Sequence, residues 1–405
     1  MQDTPLSSDG AFLRFWFARV FGTLASQMQA VAIGWQIYGL TRNPLDLGLV
    51  GLAQFLPSIL LMFVSGHVID RHDRRFIVVA CLLSESFLSL VLVSGSLYGW
   101  LGRNAILAVV FLSGAVRAFK MPATQALLPN VVPAALYPKA LAASASAMQV
   151  AIVSGPALGG FVYLASPAAV YALALLCFVT AAFLASRIKM KKSPERPEPP
   201  GIDSLFAGLR YIKSRPAIFG AISLDLFAVL LGGATALLPI YARDILHTGP
   251  WGLGLLNSAP AVGALATSLY LARHPLQRNA GKTMFAGVIA FGIATIVFSM
   301  SRNYLLSLLA LVFLGASDMI SVVIRSSLVQ LQTPDEMRGR VSAVNSVFIG
   351  TSNQLGEFES GLTASWFGTV PAVFLGGIGT IVVALIWMKI FPQLSRVDDL
   401  HNVKS

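Results

Sequence analysis

Charge is scarce in this chain. Only 12% of its 405 residues are Asp, Glu, Lys or Arg, while 56% are hydrophobic; a soluble domain carries roughly a quarter charged residues. That shortage of polar surface excludes an ordinary soluble domain. There are two cysteines, Cys81 and Cys177, each inside an apolar run, which excludes a disulfide framework. The Gly-x-x-x-x-Gly-Lys-Ser/Thr loop of ATP-driven machines is absent. No His/Cys cluster has metal-ligand spacing, and no nucleophile stands in a pattern with a base. We therefore expect neither an enzyme nor a bound metal or cofactor. Short alternating segments, which a membrane β-barrel requires, are missing too.

What is present is a series of apolar runs of about 20 residues, long enough to cross a bilayer as helices. In lipid the backbone must satisfy its own hydrogen bonds, so each run is read as a helix. The spacing predicts twelve spans, near 12–40, 46–69, 76–98, 104–128, 138–164, 168–188, 217–241, 251–272, 282–300, 304–328, 339–366 and 370–391. The first eleven residues lack a basic n-region, and the first run is long for a signal peptide, so the first span is expected to be retained. The fold class predicted is an all-α membrane protein of two six-helix bundles.

The net charge of +11 would suggest nucleic acid in a soluble protein. Here its placement carries another meaning. With the N-terminus inside, Arg71, Arg74, Arg75, Arg187, Lys189, Lys191, Lys192, Arg273, Arg278, Lys282, Arg338 and Arg340 all fall in cytoplasmic loops. Only Arg42, Arg103, Arg243 and Arg302 fall opposite. The asymmetry predicts a multi-pass protein of the bacterial inner membrane with both termini cytoplasmic. The charge thus reports topology and contact with membrane lipids, not a nucleic-acid partner.

The stretch Lys189–Gly201, KMKKSPERPEPPG, is basic and proline-rich and reads as a linker. Ser204–Ser214 reads as a short amphipathic helix. The expected organisation is a bundle over 1–188, a cytoplasmic linker over 189–216, a second bundle over 217–391 and a cytoplasmic tail over 392–405. An internal repeat supports two related halves. A shift of 203 places Gly51 on Gly254 and Pro57 on Pro260; a shift of 201 places Gly114 on Gly315, Gly155 on Gly356 and Gly160 on Gly361. Corresponding spans run in the same direction, which makes the repeat parallel about the membrane normal.

Two motifs carry more specific information. The loop after the second span reads Gly66-His-Val-Ile-Asp70-Arg71-His-Asp-Arg74-Arg75. A glycine there permits close helix approach, and the arginines can bridge helix ends and anionic lipid. This loop resembles the cytoplasmic signature of the major facilitator superfamily. The resemblance implies a conformational latch made of Gly66, Asp70, Arg71, Arg74 and Arg75. Asp73 departs from it, standing where many members have glycine. In the fifth span, Ser154-Gly155-Pro156-Ala157-Leu158-Gly159-Gly160 resembles the glycine-proline motif of the exporter branches, which implies antiport through Gly155, Pro156, Gly159 and Gly160. Further segments, among them Trp35-Gln-Ile-Tyr38, Gly51-Leu-Ala-Gln-Phe-Leu-Pro57 and Gly356-Glu-Phe-Glu-Ser-Gly361, are similar to the enterobactin-exporter branch. That branch includes exporters of catecholate siderophores.

Ionisable groups inside spans are expensive and point to function. They are Arg19, Glu85, Arg117, Lys120, Asp225, Asp318, Arg325, Glu357 and Glu359. In the resembled fold, spans one, four, seven and ten line the cavity. The 201 shift places Arg117 on Asp318, which suggests a charge pair or two ends of one site. Asp225, Asp318, Glu357 and Glu359 are the proton-coupling candidates. Glu357 and Glu359 point about 200° apart on a helix, so one is expected to face the cavity while the other pairs with Arg325 or a backbone group. Glu85 is expected to serve packing. Arg19, Gln27, Trp35, Tyr38, Arg117, Asn345 and Asn353 are the substrate-cavity candidates, a mixture suited to an amphipathic aromatic ligand.

Together these features predict a monomeric secondary transporter, driven by protons, that exports a small siderophore-like or drug-like molecule by alternating access. An uptake permease of the same fold, or a receptor or assembly protein that does not transport, stands as the alternative.

Overall fold

The computed structural model describes residues 9–188, 202–274 and 278–397. The linker predicted over 189–201 lies outside the described residues. Helices account for nearly all of the rest, in the order expected from the apolar runs. The first is α1 (Gly10–Thr41), whose N-terminus is capped by Asp9; the Asp9 carboxylate accepts from the backbone N–H groups of Ala11 and Phe12 at 2.9 and 3.3 Å. Such a cap satisfies donors that a helix start leaves open.

The second span is two helices, α2 (Pro44–Leu60) and α3 (Met62–Arg71), separated at Leu61. Pro57 stands four residues before that separation, and the Leu61 N–H still donates to the Pro57 carbonyl at 3.0 Å. Then follow α4 (Arg74–Tyr98), α5 (Arg103–Val131), α6 (Tyr137–Tyr163) and α7 (Pro167–Ser186). Beyond the linker lie α8 (Ile202–Ser214) and α9 (Pro216–Leu231). The seventh span does not run on as one regular helix. At Gly232 and Gly233 it passes into a 3₁₀ turn over Ala234–Leu237, a short α10 (Leu238–Ile240) and a π-helical turn over Tyr241–Ile245. The remaining helices are α11 (Pro250–Arg273), α12 (Ala280–Met300), α13 (Tyr304–Gln332), α14 (Asp335–Phe367), α15 (Thr369–Ile390) and α16 (Pro392–Ser395).

Among the described residues, nine helical segments are long and apolar enough to cross a membrane, and α2 is a shorter apolar helix. The predicted count of twelve therefore does not follow from composition alone. Helices α1 and α14, of 32 and 33 residues, have the length but carry too many polar groups. Their polarity is itself informative, because lipid does not require it and an interior site does.

The chain forms two compact units. One comprises Met1–Arg42, Ala53–Pro199 and Thr248–Ser258; the other comprises Asn43–Leu52, Pro200–His247 and Ala259–Ser405. Helices α2 and α11 thus each divide between units, a boundary that the apolar runs do not announce. In the first unit α1 packs on α6 and α7, and α4 packs on α5 and α7. In the second unit α9 packs on α14 and α15, and α12 packs on α13 and α15. The repeat found by residue shifts therefore recurs as the same four helix pairings.

Its glycines recur as contacts as well. Gly114 of α5 lies against the Gln54 backbone of α2, and Gly315 of α13 lies against the Pro260 backbone of α11. Gly155 of α6 lies against the Gln27 side chain of α1, and Gly356 of α14 lies against Val229 and Leu230 of α9. A Cβ at Gly114 would overlap the Gln54 carbonyl. Gly114→Val is therefore expected to destabilise the first unit by about 1–3 kcal/mol, the usual cost of overpacking. Gly66→Val, where an added Cβ meets no atom within 4 Å, is the matched control. Thermal unfolding of the two purified variants in detergent checks this; equal midpoints would show that the helix contact is slack.

The outer faces are apolar. On α4, Phe76, Leu83, Phe87, Leu90 and Leu97 are exposed at helical spacing, which is the lipid-facing stripe of a spanning helix. Helix α8 is held on the second unit: Ile212 is buried, Gly208 lies against the Arg340 backbone of α14, and the Tyr211 hydroxyl donates to the Gln332 carbonyl at 2.8 Å. The predicted tail likewise begins inside the unit. Leu394 is fully buried, and the Gly281 N–H donates to the Val397 carbonyl at 3.0 Å.

Candidate functional site

The first unit encloses a cavity of about 310 Å³ among α1, α2, α4, α5, α6 and α7. Its wall is mostly apolar, with a polar set placed at membrane depth. Arg19, Thr23, Gln27 and Gln29 come from α1, Gln54 from α2, Glu85 from α4, and Ser113, Arg117 and Lys120 from α5. Positions 113, 117 and 120 are one turn apart, so α5 presents them on one face.

Glu85 is 3% exposed and is fully engaged. Its carboxylate accepts from Lys120 Nζ at 3.2 Å and from the Ser113 hydroxyl at 3.0 and 3.2 Å. Lys120 Nζ also lies 5.5 Å from the centre of the Phe178 ring on α7, a cation–π distance. The sequence reading assigned Glu85 to packing and left Lys120 unassigned. Glu85 does tie α4 to α5, but its carboxylate also forms part of the cavity wall. The signal available beforehand was two opposite charges in adjacent spans; nothing in the sequence placed them side by side.

The two arginines of the cavity have neutral partners. Arg19 Nη1 donates to the Ser144 hydroxyl at 2.6 Å, and Nη2 lies 3.1 Å from Met148 Sδ. Arg117 Nη1 donates to Gln54 Oε1 at 3.2 Å. Of the seven predicted cavity residues, Arg19, Gln27 and Arg117 line this cavity. Trp35 and Tyr38 do not. Tyr38 is buried, with the Arg42 guanidinium 5.8 Å from its ring centre. Asn345 and Asn353 belong to α14 of the other unit, where Asn353 Nδ2 donates to the Ile349 carbonyl at 2.8 Å; Asn345 Oδ1 is buried without a hydrogen-bond partner among the described residues.

In the second unit Asp225 of α9 and Arg325 of α13 form a buried ion pair. Arg325 had been considered as a partner for Glu357 or Glu359, but the pair it makes is with Asp225. Glu359 instead accepts from the Thr363 hydroxyl at 2.7 Å, and Glu357 lies against Gly51 near the middle of α2. Asp318 shares a small pocket with Asp225, Ala228, Phe291 and Ser321. Asp318 makes no hydrogen bond or ion pair to a described residue. The two pocket carboxylates thus differ: one is neutralised by a guanidinium and the other is not.

The basic loop ties helix ends together within the first unit. Asp73 caps α4 by accepting from the Arg75 N–H at 2.8 Å, which accounts for an aspartate at the position where the resembled signature has glycine. Arg74 Nη1 donates to the Ala126 carbonyl at 3.2 Å, and Arg75 Nη1 donates to the Ile188 carbonyl at 3.1 Å. Cations at the carbonyl ends of helices offset the helix dipole. Arg71 is exposed, and the Asp70 side chain lies outside the described residues. Gly66 is exposed with open space around it, so its expected role in close helix packing is not what the structure shows. In α6, Gly159 lies against the Met28 backbone, and Gly160 lies against Gly254 at the start of α11. The helix runs without interruption through Pro156.

The pattern described as transmembrane secretion effector matches residues 3–404, nearly the whole chain. The chain belongs to this family. Among curated relatives, the enterobactin exporter EntS of Citrobacter koseri is 24% identical over 400 residues, covering 96% of this chain and 94% of that protein. The enterobactin exporter EntS of Escherichia coli O81 is 22% identical with the same coverage. Among solved structures, a bacterial homologue of the lysosomal transporter Spinster, in an inward-facing and unoccupied conformation, gives a TM-score of 0.75 at 13% identity, covering 98% of each chain. A bacterial homologue of the iron transporter ferroportin, in an inward-facing state, gives 0.71 at 16% identity, covering 95% of this chain and 98% of the other. The fold is that of the major facilitator superfamily, and the chain is a multi-pass membrane transporter.

Proposed function

We propose that this transporter exports a small organic molecule from the cytoplasm across the inner membrane in exchange for protons, by alternating access and as a monomer with both termini inside. The observation that carries the reading is the division of labour between two polar sites. One is a roomy, mostly apolar cavity with a few directed polar groups, the form that suits an organic ligand. The other is a small pocket where Asp318 stands without a cation beside the paired Asp225, the form that suits a proton. The full-length similarity to enterobactin exporters supports export and a siderophore-like molecule as the first one to test.

Everted vesicles containing the protein provide the test. An acid-inside gradient is expected to drive accumulation of the exported molecule, and collapse of the gradient with an uncoupler is expected to stop it. Accumulation driven by the reverse gradient would identify an uptake permease. Saturable binding with no flux in either direction would identify a receptor.

A further inference from the structure

We propose that the cavity of the first unit is an organic-anion site, in which Arg19 and Arg117 hold the acidic group of the cargo. Arg19, Arg117 and Lys120 bring three positive charges to the cavity wall, and Glu85 brings one negative charge. Glu85 is already committed to Lys120 and Ser113, so that pair is internally neutral. Arg19 and Arg117 remain. Neither has a carboxylate within ion-pair distance among the described residues, and their bonds go to a serine, a thioether and a glutamine amide.

Depth makes this significant. Arg117 stands near the middle of the 29-residue α5, about 20 Å along the axis from either end. Its side chain is exposed at that level, and a guanidinium within a span is costly unless an anion, a carbonyl or water meets it. Here the donors not used by neutral neighbours border an open cavity. The geometry of a guanidinium suits the two oxygens of a carboxylate, sulfonate or phosphate monoester. Most of the remaining wall is apolar, with Phe15, Ile33 and Val110 among its residues, which suits the hydrocarbon or aromatic body of the same molecule. An inorganic anion would leave that wall unused, and a cationic drug would face two unmatched positive charges.

The inference rests on the transport reading only in calling the ligand cargo. Binding and flux therefore test the two ideas separately. The full-length protein is placed in nanodiscs of neutral phosphatidylcholine, and equilibrium binding of tritiated naphthoate is compared with that of its neutral amide. Unlabelled naphthalenesulfonate and naphthyl phosphate serve as competitors. Saturable, acid-selective binding is expected, with Arg19→Gln and Arg117→Gln each weakening it by about tenfold or more, the loss typical of a hydrogen bond to a charged group. Arg117→Lys is expected to recover part of the affinity, which a merely misfolded variant would not do.

The proposal is overturned if no acid binds saturably, if the amide binds as well as the acid, or if both glutamine variants bind like the parent protein. Competitive loss of binding when phosphatidylglycerol is added to the nanodiscs would assign the site to a lipid headgroup and also overturn it. Acid-selective binding together with absent or reversed flux in vesicles would leave the site standing and overturn the export reading. Flux without acid selectivity would do the opposite.

Discussion

Replacing Asp318 with asparagine is expected to abolish gradient-driven transport while leaving exchange of ligand for ligand intact. Asp318 and Asp225 differ in their partners. Asp225 is held on the Arg325 guanidinium. Asp318 lines the same pocket without such a partner, and on the proposed function it is the carboxylate that takes up and releases the coupling proton. Asparagine keeps the shape and removes the titration. Uphill accumulation in everted vesicles is expected to fall by about tenfold or more, within the range of ordinary coupling free energies. Counterflow, which needs no gradient, is expected to continue, and Asp318→Glu is expected to keep part of the coupling. Full gradient-driven activity in Asp318→Asn would remove Asp318 from the coupling role and return attention to Glu357 and Glu359.

The second large effect concerns stability. The side chains of Asp225 and Arg325 are 8% and 3% exposed, so removing either one leaves the other charge buried and uncompensated. The expected cost is about 3–5 kcal/mol for Asp225→Ala or Arg325→Ala. For a unit of this size that lowers the thermal midpoint by on the order of 10 °C. The double variant Asp225→Asn with Arg325→Gln is expected to recover much of the loss, because a neutral hydrogen-bonded pair replaces an orphaned ion. Thermal unfolding of the purified variants measures both. If the single variants are as stable as the parent protein, water or lipid groups reach the pair and its role is not structural.

The candidate site was legible in parts, and the reason differs from part to part. Arg19, Gln27 and Arg117 were found because a charged or amide side chain in an apolar run is conspicuous. Trp35 and Tyr38 have suitable chemistry, but neither is among the residues that line the cavity of the first unit. An error of one position rotates a residue by about 100° on a helix. Glu85 and Lys120 were visible as charges, yet their partnership depends on the packing of α4 on α5. The same holds for Asp225 and Arg325, which are far apart in sequence and meet only where α9 and α13 pack. The tenant of Asp73, a helix cap, was hidden for a different reason: capping depends on where the helix begins, and boundaries are the least legible feature of a chain.

By itself the amino-acid sequence determined that this is an all-helical membrane protein with an internal parallel repeat. Scarce charge, long apolar runs and residues recurring at shifts of 201 and 203 are properties of the chain that no packing can alter. The helix order and most helix limits followed from them. Tertiary structure alone decided which charges neutralise each other and which are left over. Ion pairing depends on distances of a few ångströms between helices, and the periodicity of one helix carries no information about the rotation of its neighbour. That is why Glu85 with Lys120 and Asp225 with Arg325 became internal pairs, and why Arg19, Arg117 and Asp318 are left without an oppositely charged partner among the described residues.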